Sequence, residues 1–214
     1  MRKASLMPIL AAVMLAAIFA ILASAKPDEA LVRQKLVAQG IERLGHGGAS
    51  WRTLVVLSSR EIDVPPAAAF RAWAALSSWP RWGRPLILDA HWLVGSDQAM
   101  APPNLSPEQR WSNGSRFEET LDLGFPLAHL SQTNRVEAVT PGAEISWRNE
   151  TGSLDSYQTW SFQALAHGGT RITVVQIFDG VAIGLGRYMV QDRWQQRFDD
   201  AIDGLVLEAQ RPSH

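Results

Sequence analysis

The 214-residue chain contains no cysteine. Disulfides cannot support the fold, and thiol nucleophiles, cysteine-rich zinc sites and thiolate-ligated iron–sulfur clusters are excluded. Lysine is confined to Lys3, Lys26 and Lys35, so the body of the chain offers neither a Schiff-base lysine nor a phosphate-loop lysine. Charge of one sign is nowhere concentrated and the formal net charge is −1, which makes nucleic acid or an anionic membrane surface an unexpected partner. The histidines His46, His91, His129, His167 and His214 include no pair at helical ligand spacing and no H-E-x-x-H run, so no metal and no other cofactor is expected. A G-x-S-x-G nucleophile elbow is also missing, against a hydrolase of that type.

What is present is a globular composition, 46% hydrophobic and 19% charged, at a length suited to one domain with extras. Nine tryptophans stand out, large side chains that either fill a core or line a cavity.

The N-terminus is laid out as a secretory signal peptide over residues 1–25. A basic Met1-Arg2-Lys3 precedes an uncharged apolar run from Leu6 to Leu22, interrupted at Pro8, and Ala23-Ser24-Ala25 is an A-x-A cleavage site. The competing reading is an uncleaved anchor, since Leu6 to Ala25 is long enough at 1.5 Å per residue to cross a hydrocarbon core of about 30 Å. Both readings export the domain, to a periplasmic or secreted location or to the membrane surface, and a membrane is a partner only if the segment is retained. With no cysteine after the apolar run, lipoprotein attachment is excluded. Asn113-Gly-Ser and Asn149-Glu-Thr match the glycosylation sequon.

Residues 26–50 read as a helix from Asp28, a candidate cap, to Leu44, with a loose stripe of Leu31, Val32, Lys35, Leu36, Gln39 and Ile41. The glycine-rich linker around Gly45-His46-Gly47-Gly48 follows. The spacing suggests a tether or a surface helix outside the main core. The domain proper spans 51–210, leaving a tail of 211–214. It opens with a strand over Thr53–Val64 and a short helix over Ala67–Leu76, with Pro66 in its first turn and Phe70, Trp73 and Ala74 on its apolar face. A second short helix is expected near Ser77–Gly83. Six strand-like runs follow at Ile87–Val94, Ser115–Leu123, Leu130–Val139, Glu144–Asn149, Ser156–Leu165 and Arg171–Phe178. The turns Asn113-Gly114, Pro141-Gly142, Thr151-Gly152 and Gly168-Gly169 between them imply an antiparallel meander. Gly95 to Asn113 is the loosest segment. The chain ends in a helix from about Gly186 to Ala209, opened by Gly184-Leu185-Gly186. Its stripe of Val190, Trp194, Phe198, Ala201, Ile202, Leu205 and Ala209 needs an apolar partner, and only the sheet is large enough.

Five segments in this order resemble the polyketide cyclase/dehydrase-like branch of the SRPBCC superfamily of START-like proteins. They are Ile62-Asp-Val-Pro-Pro-Ala-Ala-Ala-Phe-Arg-Ala-Trp73, Leu76-Ser-Ser-Trp-Pro-Arg-Trp82, Gly114-Ser-Arg-Phe117, Val139-Thr-Pro-Gly-Ala-Glu-Ile-Ser-Trp147 and Gly168-Gly-Thr-Arg-Ile-Thr173. The resemblance covers about Leu54 to Ala209. It implies an α+β helix-grip fold: a curved seven-stranded antiparallel sheet wrapped around a long C-terminal helix, with two short helices after the first strand. The superfamily includes ligand carriers, receptors, cyclases, chaperone-like regulators and oxygenase domains; the Rieske oxygenase branch is excluded, because its clustered ligands have no counterpart here.

A curved sheet closed by one helix leaves a gap that side chains either fill or line. Alternation nominates Phe117, Glu119, Trp147, Gln158, Trp160, Phe162, Val174, Gln176 and Phe178 from the strands, and Val190, Trp194 and Phe198 from the helix, with Tyr157 on the opposite face. Gln158 and Gln176 bond each other, bond backbone or orient a ligand. Three functions stay open. The first is binding or transport of a small hydrophobic molecule, a lipid, isoprenoid or polyketide-like compound. The second is a cyclase or dehydratase using Glu119, His91 or His129 as general base. The third is a membrane-anchored partner-binding module.

Overall fold

The computed structural model describes residues 27–45, 50–93, 106–124, 128–151 and 154–211. The signal or anchor segment, most of the glycine-rich linker with His46, the tail with His214 and much of the Gly95–Asn113 loop lie outside them.

Strands β1 (Thr53–Ile62), β2 (Ile87–Trp92), β3 (Arg116–Gly124), β4 (Ala128–Thr140), β5 (Glu144–Asn149), β6 (Asp155–Ala164) and β7 (Thr170–Asp179) form one antiparallel sheet in the order β1-β7-β6-β5-β4-β3-β2. The sheet curls into a half-barrel. Each expected strand is present, shifted by at most two residues at either end. Gly114, Gly142 and Gly168 occupy left-handed conformations in the intervening turns, where a side chain would be strained. Helix α2 (Pro66–Ala74) follows β1 with Pro66 in its first turn and Phe70, Trp73 and Ala74 buried, as the sequence indicates. A single 3-10 turn (Leu76–Ser78) and the four-residue α3 (Trp79–Trp82) come next.

The last helix, α4, runs from Val181 to Ala209, about 43 Å, and starts five residues before its expected beginning. Gly184 and Gly186 therefore sit inside the helix. Gly184 is there because the Trp51 ring lies against it, leaving no room for a Cβ. The α4 stripe is buried at Val190, Trp194, Phe198, Ala201, Ile202 and Leu205, and extends upstream through Arg187 and Ile183. Polar contacts fix α4 to the free edge of β1. Gln195 accepts from the Leu57 N–H at 3.2 Å and donates to the Leu57 carbonyl at 2.6 Å, satisfying edge groups that would otherwise invite another strand. Ser58 donates to Asp199 at 2.5 Å, and Arg60 grips Asp203 through Nε at 2.6 Å.

At Gly204, α4 touches the backbone carbonyl of Trp82, and a Cβ there would overlap it. Gly204→Ala should therefore destabilise the domain by about 1–3 kcal/mol despite the better helix propensity of alanine, read as a lower urea midpoint at unchanged slope.

The N-terminal helix α1 (Pro27–Arg43) corrects one expectation. It lies outside the main core but is no tether. Leu36, Val37 and Leu44 are buried against Leu57, Tyr157, Val175 and Ile177 on the convex face, forming a second, smaller core. Leu31 and Lys35, assigned to the apolar stripe from sequence, are exposed. The buried stripe instead runs through Leu36, Val37, Gly40 and Leu44, and a Cβ on Gly40 would lie 2.5 Å from Ile177 Cδ1. Asp28 lies within the helix rather than ahead of it.

Candidate ligand site on the concave face

Strand register fixes which side chains meet beneath α4. Val56, Gln176, Gln158 and Trp147 lie opposite one another across β1, β7, β6 and β5, and so share a face. Ser58, Val174, Trp160 and Ile145 form the next row, and Leu54, Phe178 and Ser156 the row on the other side. On the far half of the sheet, Phe117 opposes Asn134 and Glu119 opposes Gln132. Every nominated lining residue is buried on this side: Phe117, Glu119, Trp147, Gln158, Trp160, Phe162, Val174, Gln176, Phe178, Val190, Trp194 and Phe198. Tyr157 points to the convex face.

The interior divides into two chemically different parts. One is an aromatic block. Trp73 is fully buried and its ring centroid lies 4.5 Å from that of Trp111, 5.3 Å from Trp79 and 6.0 Å from both Trp147 and Trp160. Phe162 packs edge-on against Trp73 and Phe70, and Phe117 edge-on against Trp79 and Trp147. The indole N–H groups of Trp79 and Trp111 donate to the carbonyls of Trp73 and Ala74, pinning the end of α2. These rings are packing, and they fill their part of the cup.

The other part is polar. Glu119, Gln132, Asn134, Asn149, Ser156, Gln158 and Gln176 are all buried, and they make a continuous belt across the concave face. Glu119 Oε1 accepts from Gln132 Nε2 at 2.8 Å and from Asn134 Nδ2 at 2.7 Å, and Ser156 reaches Gln132 Oε1 at 3.4 Å. Burial pushes the Glu119 carboxyl up to about 7, with bonds from Gln132, Asn134 and the Trp147 indole pulling the other way. A carboxyl poised there is half-protonated near neutral pH and can give or take a proton. Gln176 Nε2 donates to the Ile177 carbonyl at 3.3 Å rather than to Gln158, so the two glutamines do not bond each other.

Sequence reasoning missed Gln132, Asn134, Asn149 and Ser156. Residues 131–135 are polar on both faces of β4, so alternation carries no contrast there; pairing with β3 is what turns Gln132 and Asn134 inward. Asn149, although it stands in a glycosylation sequon, is turned into the structure. Its side chain is buried, donating to the Leu154 carbonyl and accepting from the Thr151 N–H. His91 and His129 are exposed, and the interior does not include them. His91 sits on the rim of an open cleft of about 330 Å³ at the β2 edge, with Leu76, Trp92 and Arg110. Among the described residues no cluster of His, Asp or Glu is arranged to hold a metal, and no helix is long and apolar enough to cross a membrane.

A curled antiparallel sheet closed by a C-terminal helix, with two short helices after the first strand, defines a helix-grip protein. The chain belongs to the polyketide cyclase/dehydrase and lipid transport family, whose model matches residues 53–210. Among solved structures it is similar to hypothetical protein jhp0584 from Helicobacter pylori (15% identity, TM-score 0.57, covering 77% of this chain and 91% of that one). It is likewise similar to TTHA0849 from Thermus thermophilus (16%, 0.56, 72% and 96%) and to the Zhui aromatase/cyclase from Streptomyces sp. R1128 (12%, 0.55, 74% and 94%). At these identities the likeness establishes the fold. No curated protein sequence matches the chain significantly.

Proposed function

We propose that the domain binds a small, largely apolar molecule inside the cup, between the concave face of the sheet and α4, and that it does so outside the cytoplasm. The observation that carries this is the polar belt. A core built only for stability has little use for so many buried, uncharged polar side chains, because each costs free energy unless it is hydrogen-bonded. Beside an apolar helix face, placed polar groups are what a ligand pocket uses to fix orientation. The family description, spanning cyclases and lipid transport, agrees with this chemistry.

Native mass spectrometry after gentle purification should show a co-purified mass or uptake of an added apolar ligand such as Nile red. A protein that stays free of both, and whose belt is uniformly protected by internal hydrogen bonds, would overturn the reading. N-terminal sequencing of the mature protein tests the export component: Lys26 as first residue indicates cleavage, and an intact Met1 end indicates a retained anchor.

One observation favours a second, enzymatic reading. Glu119 is the only nominated general base that enters the interior, and its carboxyl is held near 7. A cyclase or dehydratase using it predicts that Glu119→Gln keeps ligand affinity and loses turnover.

A further inference from the structure

Two acceptor atoms of the belt have no donor. Asn134 Nδ2 is committed to Glu119 and Gln176 Nε2 to the Ile177 carbonyl, which fixes both amide orientations. Their oxygens, Asn134 Oδ1 and Gln176 Oε1, are then fully buried with no hydrogen-bond partner among the described residues. A buried acceptor left unmet is costly, so both call for a donor from outside the protein. Cations are scarce here. The belt contains no Arg or Lys, and Arg187, the buried cation on the inward stripe of α4, is engaged by Tyr188, whose hydroxyl its Nη2 bonds at 2.7 Å and whose ring it covers at 4.6 Å. Glu119 is the belt's ionisable group, and an anionic ligand beside it would place like charges together in a medium of low dielectric.

Geometry sets the spacing of the donors. Gln176 on β7 pairs with Gln158 on β6, which pairs with Trp147 on β5, which pairs with Val136 on β4, two residues from Asn134. Three interstrand steps of about 4.8 Å and two residues along β4, about 7 Å, amount to roughly 16 Å between the two positions, and less across the concave side. Allowing for the hydrogen bonds at each end, the donors on a ligand lie roughly 10 Å apart.

We propose that the ligand is an uncharged molecule with a flat apolar body and a hydroxyl group at each end, one donating to Asn134 and the other to Gln176. This rests on the internal-binding reading above and narrows it: fatty acids and phospholipids, which bring a negative charge and cannot donate at both ends, are rejected.

Calorimetric titration of the full chain with three matched probes tests it. 4,4′-Biphenol should bind at least about tenfold more tightly than 4,4′-dimethoxybiphenyl, which keeps the shape and loses both donors, and biphenyl-4-carboxylate should bind most weakly at pH 8. Asn134→Leu and Gln176→Leu, each with native circular dichroism, should remove most of the preference for the biphenol over its ether, whereas Leu31→Ala on the exposed face of α1 should keep it. Equal affinity for biphenol and its ether, or tightest binding of the carboxylate, overturns the proposal and leaves internal binding intact. Failure of every probe and of Nile red to bind protein with native circular dichroism overturns internal binding, and this proposal with it.

Discussion

Trp73→Ala is expected to cost about 3–5 kcal/mol, a large part of the stability of an ordinary domain. The side chain is completely buried, and its ring touches six other aromatic residues, five drawn from α2, α3, β5 and β6 and the sixth being Trp111. Removing it leaves a cavity that rigid rings on all sides cannot collapse to fill. The midpoint of thermal unfolding should fall by roughly 10 °C. Trp92→Ala is the control, because that ring is only partly buried at the rim of the same cluster and should cost clearly less. A Trp73→Ala protein within about 1 kcal/mol of the parent would show that the cluster is not a main support of the fold.

The second large effect concerns pH. Burial raises the Glu119 carboxyl from 4.5 to about 7, so the folded state holds this proton more tightly than the unfolded chain does. Below about pH 4.5 both states are protonated and the group is neutral in the balance. As the pH rises through 4.5 towards 7, the unfolded chain releases the proton first and folding loses stability; above 7 the loss is complete. Its full size is roughly 3 kcal/mol. Other carboxylates titrate in the same acid range, so the measurement is a difference. The stability of Glu119→Gln relative to the parent should rise by roughly 2–3 kcal/mol between pH 5 and pH 8 in urea titrations. The amide introduced at that position accepts the Trp147 indole bond less well than the carboxyl does, but that offset is the same at both pH values and cancels. A difference independent of pH would mean that the carboxyl is hydrated in the fold.

Much of the architecture is legible in the sequence because the physics that makes it is local. Ile172, Val174, Gln176 and Phe178 alternate with Thr173, Val175 and Ile177, and that period of two survives into β7 unchanged. The wall residues follow from the same alternation, once Tyr157 is placed on the opposite face. What the sequence hides is non-local. Gly184 and Gly186 look like helix breakers, yet α4 runs through both, and only the approach of Trp51 shows why position 184 is a glycine. Gln132 and Asn134 sit in a strand polar on both sides, so nothing within β4 says which face is inward. Leu36 and Val37 form a short apolar patch whose partner, the outer face of β6 and β7, lies more than a hundred residues downstream.

That outer patch has a bearing on where the domain ends. All ten residues of β7 are buried, and on its outer face α1 covers Val175 and Ile177. The amide protons of this strand should exchange with solvent only when the whole molecule opens, since both cores must let go of it together. A fragment trimmed to residues 53–210 would uncover Leu57, Tyr157, Val175 and Ile177 as a sticky patch, although every element of the grip itself would be retained. The smallest cooperative unit of this protein thus begins at α1, some twenty-five residues ahead of the segment that family membership alone would mark out.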